Sequence, residues 1–203
     1  MLFSIKEIID IVIICLALGF IFQGMFKSPK KTINYDPLEE YKAKPKRKWI
    51  DWHDFKFAIA VVAPAIILHE FGHKFMAMGF GTTATFHAAY KFLLLGIGLK
   101  IISFPFLIFV PAFVNFSPVG LSSIQTSLIA FAGPLVNLIL WLVPMIILKK
   151  VKLSRKWAYF LFLTKMINMW LFIFNMLPIP PFDGSQVFAG LFQVFAGLWH
   201  LIF

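Results

Sequence analysis

Long apolar stretches separated by short polar segments run along almost the whole chain. An α-helix rises 1.5 Å per residue, so about 20 apolar residues in a helix cross the roughly 30 Å hydrocarbon core of a bilayer. Five stretches have about this length and are predicted to be membrane helices: residues 8–26, 57–78, 124–148, 157–177 and 187–203.

A further apolar run at 92–116 is interrupted by Gly96, Gly98, Pro105 and Pro111. Proline removes a backbone donor and breaks a helix, so this run favours a re-entrant hairpin or partial insertion over a continuous span. The preceding residues, 81–90, combine small and β-forming side chains, which predicts a strand or hairpin.

Composition agrees with this pattern: 60% of the residues are hydrophobic, 14% are charged, and the mean hydropathy is +0.85. These charges are too few to cover a soluble 23.2 kDa core. We therefore predict an all-α polytopic protein of the cell membrane, with about five to six transmembrane helices and a re-entrant or β-hairpin segment. The predicted regions are an N-terminal transmembrane helix at 1–26, a basic aqueous loop at 27–56, a core at 57–186 and a C-terminal transmembrane helix at 187–203.

The formal charge of +10 does not indicate a nucleic-acid partner, because the basic residues cluster beside apolar stretches. Nine lie in the 27–56 loop and five in the turn at 149–156. The predicted topology leaves four lysines on the opposite side: Lys6, Lys74, Lys91 and Lys100. The positive-inside rule therefore predicts that the two basic segments face the cytoplasm. The single cysteine, Cys15, lies within the first apolar stretch, which excludes an intrachain disulfide and a cysteine-based zinc site.

Acidic residues are distributed very unevenly. Seven of the nine precede position 55, which leaves only Glu70 and Asp183 in the rest of the chain. An ionisable side chain at membrane depth costs about 2.5–3.5 kcal/mol on insertion scales unless it is paired or coordinated. Both carboxylates are therefore candidates for a functional site.

Residues 69–73 read His-Glu-Phe-Gly-His, an HExxH motif within an apolar helix. The i, i+4 spacing places His69 and His73 on one helix face and turns Glu70 away from them. Hydrolytic zinc sites use two such histidines, a third ligand from elsewhere in the chain, and an open position for water. The motif thus predicts two metal ligands and one carboxylate that is not a ligand. Buried histidines with ordinary hydrogen bonds are the alternative.

Asp183 is the best candidate for the third ligand. It follows a proline-rich, non-helical segment at the end of an apolar stretch, and Gly184 would allow the backbone to approach a metal. An interfacial turn between two spans is the alternative interpretation of this segment. The other candidate ligands are Glu7, Asp10, His53, His87 and His200.

Three motifs together resemble those of the site-2 proteases, which are intramembrane zinc metalloproteases. Besides the HExxH motif, Asn175-x-x-Pro178-x-x-x-Phe182-Asp183-Gly184 resembles the family's NxxPxxxLDG, and Gly133-Pro134-x-x-Asn137 resembles its third marker. The resemblance covers about residues 57–186. Phe182 replaces the usual leucine, the HExxH motif and Gly133 are about 60 residues apart, and a minimal form without PDZ or CBS modules is expected.

The resemblance implies an intramembrane zinc endopeptidase that hydrolyses membrane-spanning protein substrates. His69, His73 and Asp183 would bind one zinc ion, and Glu70 would be the general acid/base. Asn137 would hydrogen-bond the substrate or an oxyanion, with a contact between helices as the alternative. An edge strand near His87 would pair with the unwound substrate.

Two alternatives stay open. A metal-binding membrane protein without hydrolysis, such as a carrier or a silent homologue, could use the same His and Asp residues. Glu70 favours the enzyme, because hydrolysis needs a carboxylate beside the water that is not a metal ligand.

The orientation in the membrane is also open. The family's zinc site generally lies nearer the cytoplasm, and this implies the orientation opposite to the one that the charges favour. Lys165 and Asn168 form a polar face that packing or snorkelling would explain.

Overall fold

The computed structural model describes residues 2–26, 49–104 and 111–202. Within these ranges the chain forms six helices and two strands. In chain order they are α1 (Ile5–Phe22), α2 (Trp52–Gly79), β1 (Ala84–Ala88), α3 (Tyr90–Ile101), β2 (Ala112–Phe116), α4 (Ser123–Lys150), α5 (Arg155–Asn175) and α6 (Asp183–Ile202). The protein is mostly helical, as predicted, and a helix lies at each of the five long apolar stretches.

Three helices, α2, α4 and α5, are long and apolar enough to cross a membrane. This number does not confirm the predicted five to six spans. Helix α1 has a suitable length of 18 residues, but Lys6, Glu7 and Asp10 lie in its first two turns. Most of the predicted basic loop, residues 27–48, lies outside the described residues.

Polar side chains at their N-termini define the starts of the long helices. Ser4 and Glu7 form a capping box at α1, and Ser122 and Gln125 form another at α4. Asp51 accepts hydrogen bonds from two backbone N–H groups in the first turn of α2. These side chains satisfy amide groups that a helix leaves without an intrahelical partner.

The strands β1 and β2 are antiparallel, with Ala84 opposite Phe116 and Ala88 opposite Ala112. β1 lies within the stretch predicted to form a strand. A 12-residue helix, α3, follows β1 in place of a tight turn, so the apolar run at 92–116 contributes most of a helix and a strand. Because Ala88 lies opposite Ala112, the segment between them leaves the sheet and returns to it at the same end. Its re-entry into the membrane stays a prediction, and residues 105–110 lie outside the described residues.

Helix α2 lies at the centre of the fold and packs against α1, α4, α5 and both strands. A buried apolar cluster joins α1, α2 and β1 through Leu18, Val62 and Phe86. On another face of α2, a Cβ atom at Gly72 would lie 2.6 Å from the Ala132 carbonyl oxygen of α4. A side chain at position 72 would therefore push the two helices apart beside the HExxH motif.

Lys100, near the end of α3, donates a hydrogen bond to the backbone oxygen of Gln23, 2.8 Å away. Gln23 follows α1 and leads into the basic loop. Lys100 therefore lies at the same end of the bundle as that loop, and its assignment to the opposite side was wrong. Lys100 reaches the loop end of the bundle because α3 runs away from the sheet and alongside α1.

Candidate metal centre

Three side chains converge between α2 and α6. His69 and His73 are one turn apart on α2, and their Nε2 atoms are 3.1 Å from each other. Asp183, the first residue of α6, places Oδ2 at 3.2 Å from the Nε2 of His69 and 3.4 Å from the Nε2 of His73. Among the residues that the structure describes, this is the one group of three or more His, Cys, Asp or Glu side chains with metal-binding spacing.

The separations of the three donor atoms fit zinc. Tetrahedral zinc with bonds of about 2.0–2.1 Å separates its ligand atoms by about 3.3 Å. The donor types, two imidazole nitrogens and one carboxylate oxygen, are those of hydrolytic zinc sites. The chain's own residues are therefore compatible with a zinc ion in both chemistry and spacing.

The Nδ1 atoms of the two histidines face oxygen acceptors outside this group. The Nδ1 of His69 lies 2.6 Å from Asn137 Oδ1, and the Nδ1 of His73 lies 2.7 Å from the backbone oxygen of Ile129. Because carbonyl oxygens cannot donate, each neutral imidazole carries its hydrogen on Nδ1. Each Nε2 then directs a lone pair at the centre, an arrangement that second-shell hydrogen bonds impose on metal-binding histidines.

The amide of Asn137 is oriented by two further hydrogen bonds. Its Nδ2 donates to the backbone oxygen of Ala65 at 3.0 Å and to Asn168 Oδ1 at 2.9 Å. The carbonyl oxygen of Asn137 is therefore the atom that faces His69. The family resemblance implied that Asn137 bonds the substrate or an oxyanion, with a contact between helices as the alternative, and in the structure Asn137 is 0% exposed and bonds groups of α2 and α5. Asn168, which the sequence indicated only as part of a polar face, extends this network by donating to the backbone oxygen of Thr164 at 2.8 Å.

Gly133 on α4 lies directly against both imidazoles. A Cβ atom at this position would overlap the rings of His69 and His73. Its absence lets α4 approach closely enough for Ile129, one turn earlier, and Asn137, one turn later, to bond the two histidines. The Gly-Pro-x-x-Asn motif at 133–137 thus has a local physical explanation.

Glu70 is buried on α2 between the two histidines in sequence. Its carboxyl group interacts electrostatically with His69, His73 and Asp183, and the backbone of Val114 on β2 lies near it. It is not one of the three donors that converge. The site therefore has a carboxyl group that lies beside the three donors.

The turn before α6 orients Asp183. The Phe182 oxygen accepts hydrogen bonds from both the backbone N–H and the hydroxyl of Ser185, and these bonds stabilise the first turn. A Cβ atom at Gly184 would lie 2.5 Å from the backbone oxygen of Leu177. Gly184 thus allows α6 to pack against the end of α5, and the expected approach to a metal is not the contact that the structure shows.

The other candidate ligands lie elsewhere. Glu7 accepts from Lys74, and Asp10 accepts from Tyr90. His87 Nε2 lies 2.9 Å from the Thr85 hydroxyl, and His87 Nδ1 lies 4.0 Å from Asp10. His53 is exposed in the first turn of α2, more than four turns from His69, and the side chain of His200 lies outside the described residues. The backbone oxygen of Ile129 has no signal in the sequence, because any residue supplies one.

Comparisons with known proteins identify the family of this chain. The chain is 34% identical over 188 residues to the "Putative zinc metalloprotease MJ0611" of Methanocaldococcus jannaschii, and the match covers 91% of this chain and 84% of the relative. The profile described as Peptidase family M50 matches residues 143–198, which include Asp183. No solved structure matches the chain. The chain therefore belongs to peptidase family M50, the site-2 protease family of membrane metalloproteases.

Proposed function

We propose that this metalloprotease is an intramembrane endopeptidase that holds one zinc ion through His69, His73 and Asp183. The observation that carries the proposal is the convergence of three metal-binding donor atoms beside Glu70, a carboxyl group outside the donor set. A metal carrier would gain affinity by using every carboxylate as a ligand. Hydrolysis instead requires one carboxylate that can exchange a proton with the attacking water.

Zinc, when bound, supplies Lewis acidity, which brings the pKa of a coordinated water to about 7. Glu70 then has the position of a general base, because its carboxylate lies beside the donor group. It takes the proton from the attacking water and later donates it to the leaving amine. Asn137 orients His69 in this proposal and does not touch the substrate.

The position of the site in the helices supports cleavage within the membrane. His69 and His73 belong to α2, and the histidine-bonding residues Ile129 and Asn137 belong to α4. Both helices have the length and hydropathy of membrane spans. A peptide bond must therefore reach the donor group at or below the membrane surface, which favours a membrane-spanning substrate.

The outer edge of β2 is the proposed docking edge for the substrate. β2 packs against α2, the helix that carries Glu70, and the backbone of Val114 lies near the Glu70 carboxyl group, so this strand lies beside the reacting groups. A helical peptide that unwinds for cleavage loses its intrahelical hydrogen bonds, and strand addition restores part of them. The family resemblance also implies strand addition, but at an edge strand near His87, which lies in β1.

Metal analysis and cleavage assays on four variants test the proposal. We expect His69→Ala, His73→Ala and Asp183→Ala to lower the bound zinc of the purified protein, because each removes one of three ligands. Glu70→Gln should keep its zinc and lose cleavage of a panel of single-span substrates, by about 100-fold or more. The wild-type protein, loaded with zinc, is the control.

Two results would reject parts of this proposal. Full zinc occupancy in Asp183→Ala would remove Asp183 from the ligand set, and retained cleavage in Glu70→Gln would remove the general base. If the wild-type protein binds zinc but cleaves no substrate in the panel, the silent-homologue alternative is favoured.

A further inference from the structure

The two outer edges of the small sheet lie in different surroundings. In an antiparallel pair, alternate N–H groups of each strand point toward the partner strand and away from it. Ala89, just after β1, donates to the Pro111 oxygen at 3.0 Å, so the odd-numbered positions of β1 face β2. The N–H groups of Phe86 and Ala88 therefore point away from β2.

Two carboxylates of α1 bond these outward N–H groups. Phe86 donates to Glu7 Oε1 at 2.7 Å, and Ala88 donates to Asp10 Oδ2 at 3.2 Å. Glu7 and Asp10 are three residues apart and share a face of α1, while Phe86 and Ala88 are two apart on the same edge of β1. The helix thus supplies acceptors where the carbonyl groups of an added strand would lie.

The same two carboxylates have further partners on other elements. Glu7 forms an ion pair with Lys74 of α2, which is 1% exposed, and Asp10 accepts from the Tyr90 hydroxyl. Glu7 is 4% and Asp10 is 0% exposed. We call these four residues, Glu7, Asp10, Lys74 and Tyr90, the edge cluster.

Burying this many polar groups is costly unless all of them are paired, so the cluster constrains the sheet strongly. It links α1, α2 and β1 immediately beside His73, the residue before Lys74. The other strand, β2, packs against α2, and the backbone of Val114 lies near the Glu70 carboxyl group. A displacement of β1 would therefore move β2 relative to the metal centre.

We propose that Glu7 and Asp10 are positioning residues that close the outer edge of β1. Their carboxylates exclude a peptide strand from that edge and hold the sheet so that the outer edge of β2 faces Glu70. The assignment of β2 as the docking edge rests on the proposed function. The closing of the β1 edge does not, because it follows from hydrogen bonds within the chain.

A matched pair at position 10 tests this inference. Asp10→Asn keeps an oxygen acceptor for the Ala88 N–H and a polar contact for Tyr90, whereas Asp10→Leu has a similarly branched side chain and no acceptor. We expect amide hydrogen exchange over residues 84–88 to be about tenfold faster or more in Asp10→Leu than in Asp10→Asn. Tyr90→Phe, which removes only the hydroxyl contact, should exchange like Asp10→Asn.

A second pair keeps the test valid if the position 10 variants do not fold. The double variants Glu7→Gln/Lys74→Met and Glu7→Leu/Lys74→Met both lack the ion pair. They differ in whether residue 7 accepts the Phe86 N–H, so only the leucine form should show fast exchange at 84–88. Equal exchange within both pairs would overturn the inference.

Kinetics add a readout that depends on the proposed function. For a substrate that the wild-type protein cleaves, we expect the leucine variants to raise KM about five- to tenfold, with kcat and bound zinc little changed. The asparagine and glutamine variants should restore KM. A fall in bound zinc or kcat at unchanged KM would overturn the positioning role, while failure of the wild-type protein to cleave would reject only the proposed function and leave the exchange test valid.

Discussion

Two clusters of polar side chains, most of them buried, lie beside α2, and their carboxylates face opposite kinds of groups. His73 belongs to the metal centre and the next residue, Lys74, belongs to the edge cluster. In the edge cluster, the carboxylates of Glu7 and Asp10 meet an ammonium group, two backbone N–H groups and a hydroxyl. In the metal centre, Asp183 Oδ2 lies 3.2 Å and 3.4 Å from two Nε2 atoms, which carry lone pairs when the imidazoles are neutral and their Nδ1–H groups bond Asn137 and Ile129.

This difference indicates that the edge cluster is structural and that the metal centre fits a cation. The edge cluster satisfies its own charges, since each carboxylate has donors within the chain. The metal centre directs three lone-pair donors at one point, and in neutral imidazoles the Nδ1 hydrogens bond Asn137 and Ile129. Such an arrangement is stabilised by a positive ion between the donors. Substitutions in the edge cluster should therefore lower mainly stability, whereas substitutions in the metal centre should lower mainly zinc affinity.

The largest expected effect is on stability and comes from Lys74→Met. Removing one partner of a buried ion pair leaves Glu7 buried without its counter-charge, which costs about 3–5 kcal/mol of unfolding free energy. Denaturant or thermal unfolding in detergent measures it. The added change Glu7→Gln should recover most of the loss, and bound zinc per folded protein should stay at the wild-type level. A double variant as unstable as Lys74→Met would show that the charge of Glu7 is not the cause.

The next largest effect concerns zinc binding at the metal centre. In Gly133→Ala the added methyl group overlaps both imidazoles, and overpacking of this kind costs about 1–3 kcal/mol. We expect zinc affinity to fall about 10- to 100-fold, as measured by competition with a chelator. Gly197→Ala is the control, because a Cβ atom there meets nothing within 4 Å. Wild-type zinc affinity in Gly133→Ala would mean that α4 does not pack this closely on the histidines.

Asn137→Leu should have an effect of similar or smaller size. It removes the acceptor of the His69 Nδ1–H and keeps a side chain of similar branching, and the loss of such a second-shell bond typically costs 10- to 100-fold in metal affinity. Asn168→Leu, one step further along the network, should cost less. An Asn137→Leu protein with normal zinc affinity and impaired turnover would instead favour the contact with substrate that the family resemblance implied.

The smallest effect is a labelling pattern without a change in activity. In a Cys15→Ala background, single cysteines at the exposed positions Thr83 and Val119 should react from the same side of the membrane. A cysteine at Lys152, beyond α4, should react from the opposite side. Labels on opposite sides for Thr83 and Val119 would reject the re-entrant path of the segment between the strands.

The same cysteines report orientation. With Lys100 at the loop end and Lys74 buried in an ion pair, the charge asymmetry toward the basic segments is larger than the sequence indicated. We therefore expect the cysteine at Lys152 to react in right-side-out vesicles only after permeabilisation. Reaction without permeabilisation would support the orientation that the family resemblance implies.

The sequence by itself predicted much of the fold and of the candidate site. Helices of membrane length follow from hydropathy alone, because every backbone group in lipid must be bonded within the protein. The HExxH spacing places two imidazoles on one face, since that periodicity is a local property of a helix. The choice of Asp183 rested on the scarcity of carboxylates beyond position 55, and the structure brings that residue to the two histidines.

Tertiary structure alone decided which polar groups meet across the chain. Glu7 and Asp10 were candidate ligands by residue type, and they instead bond β1, which is almost 80 residues away. The partner of His73 is a backbone oxygen of Ile129, which has no residue-type signal, and the partner of His69 depends on how closely Gly133 lets α4 approach. Hydropathy and helical periodicity are local along the chain, whereas hydrogen bonds between helices depend on the packing distance and rotation of each helix. A sequence therefore reveals which residues are costly to bury, and only the packed fold determines which groups compensate that cost.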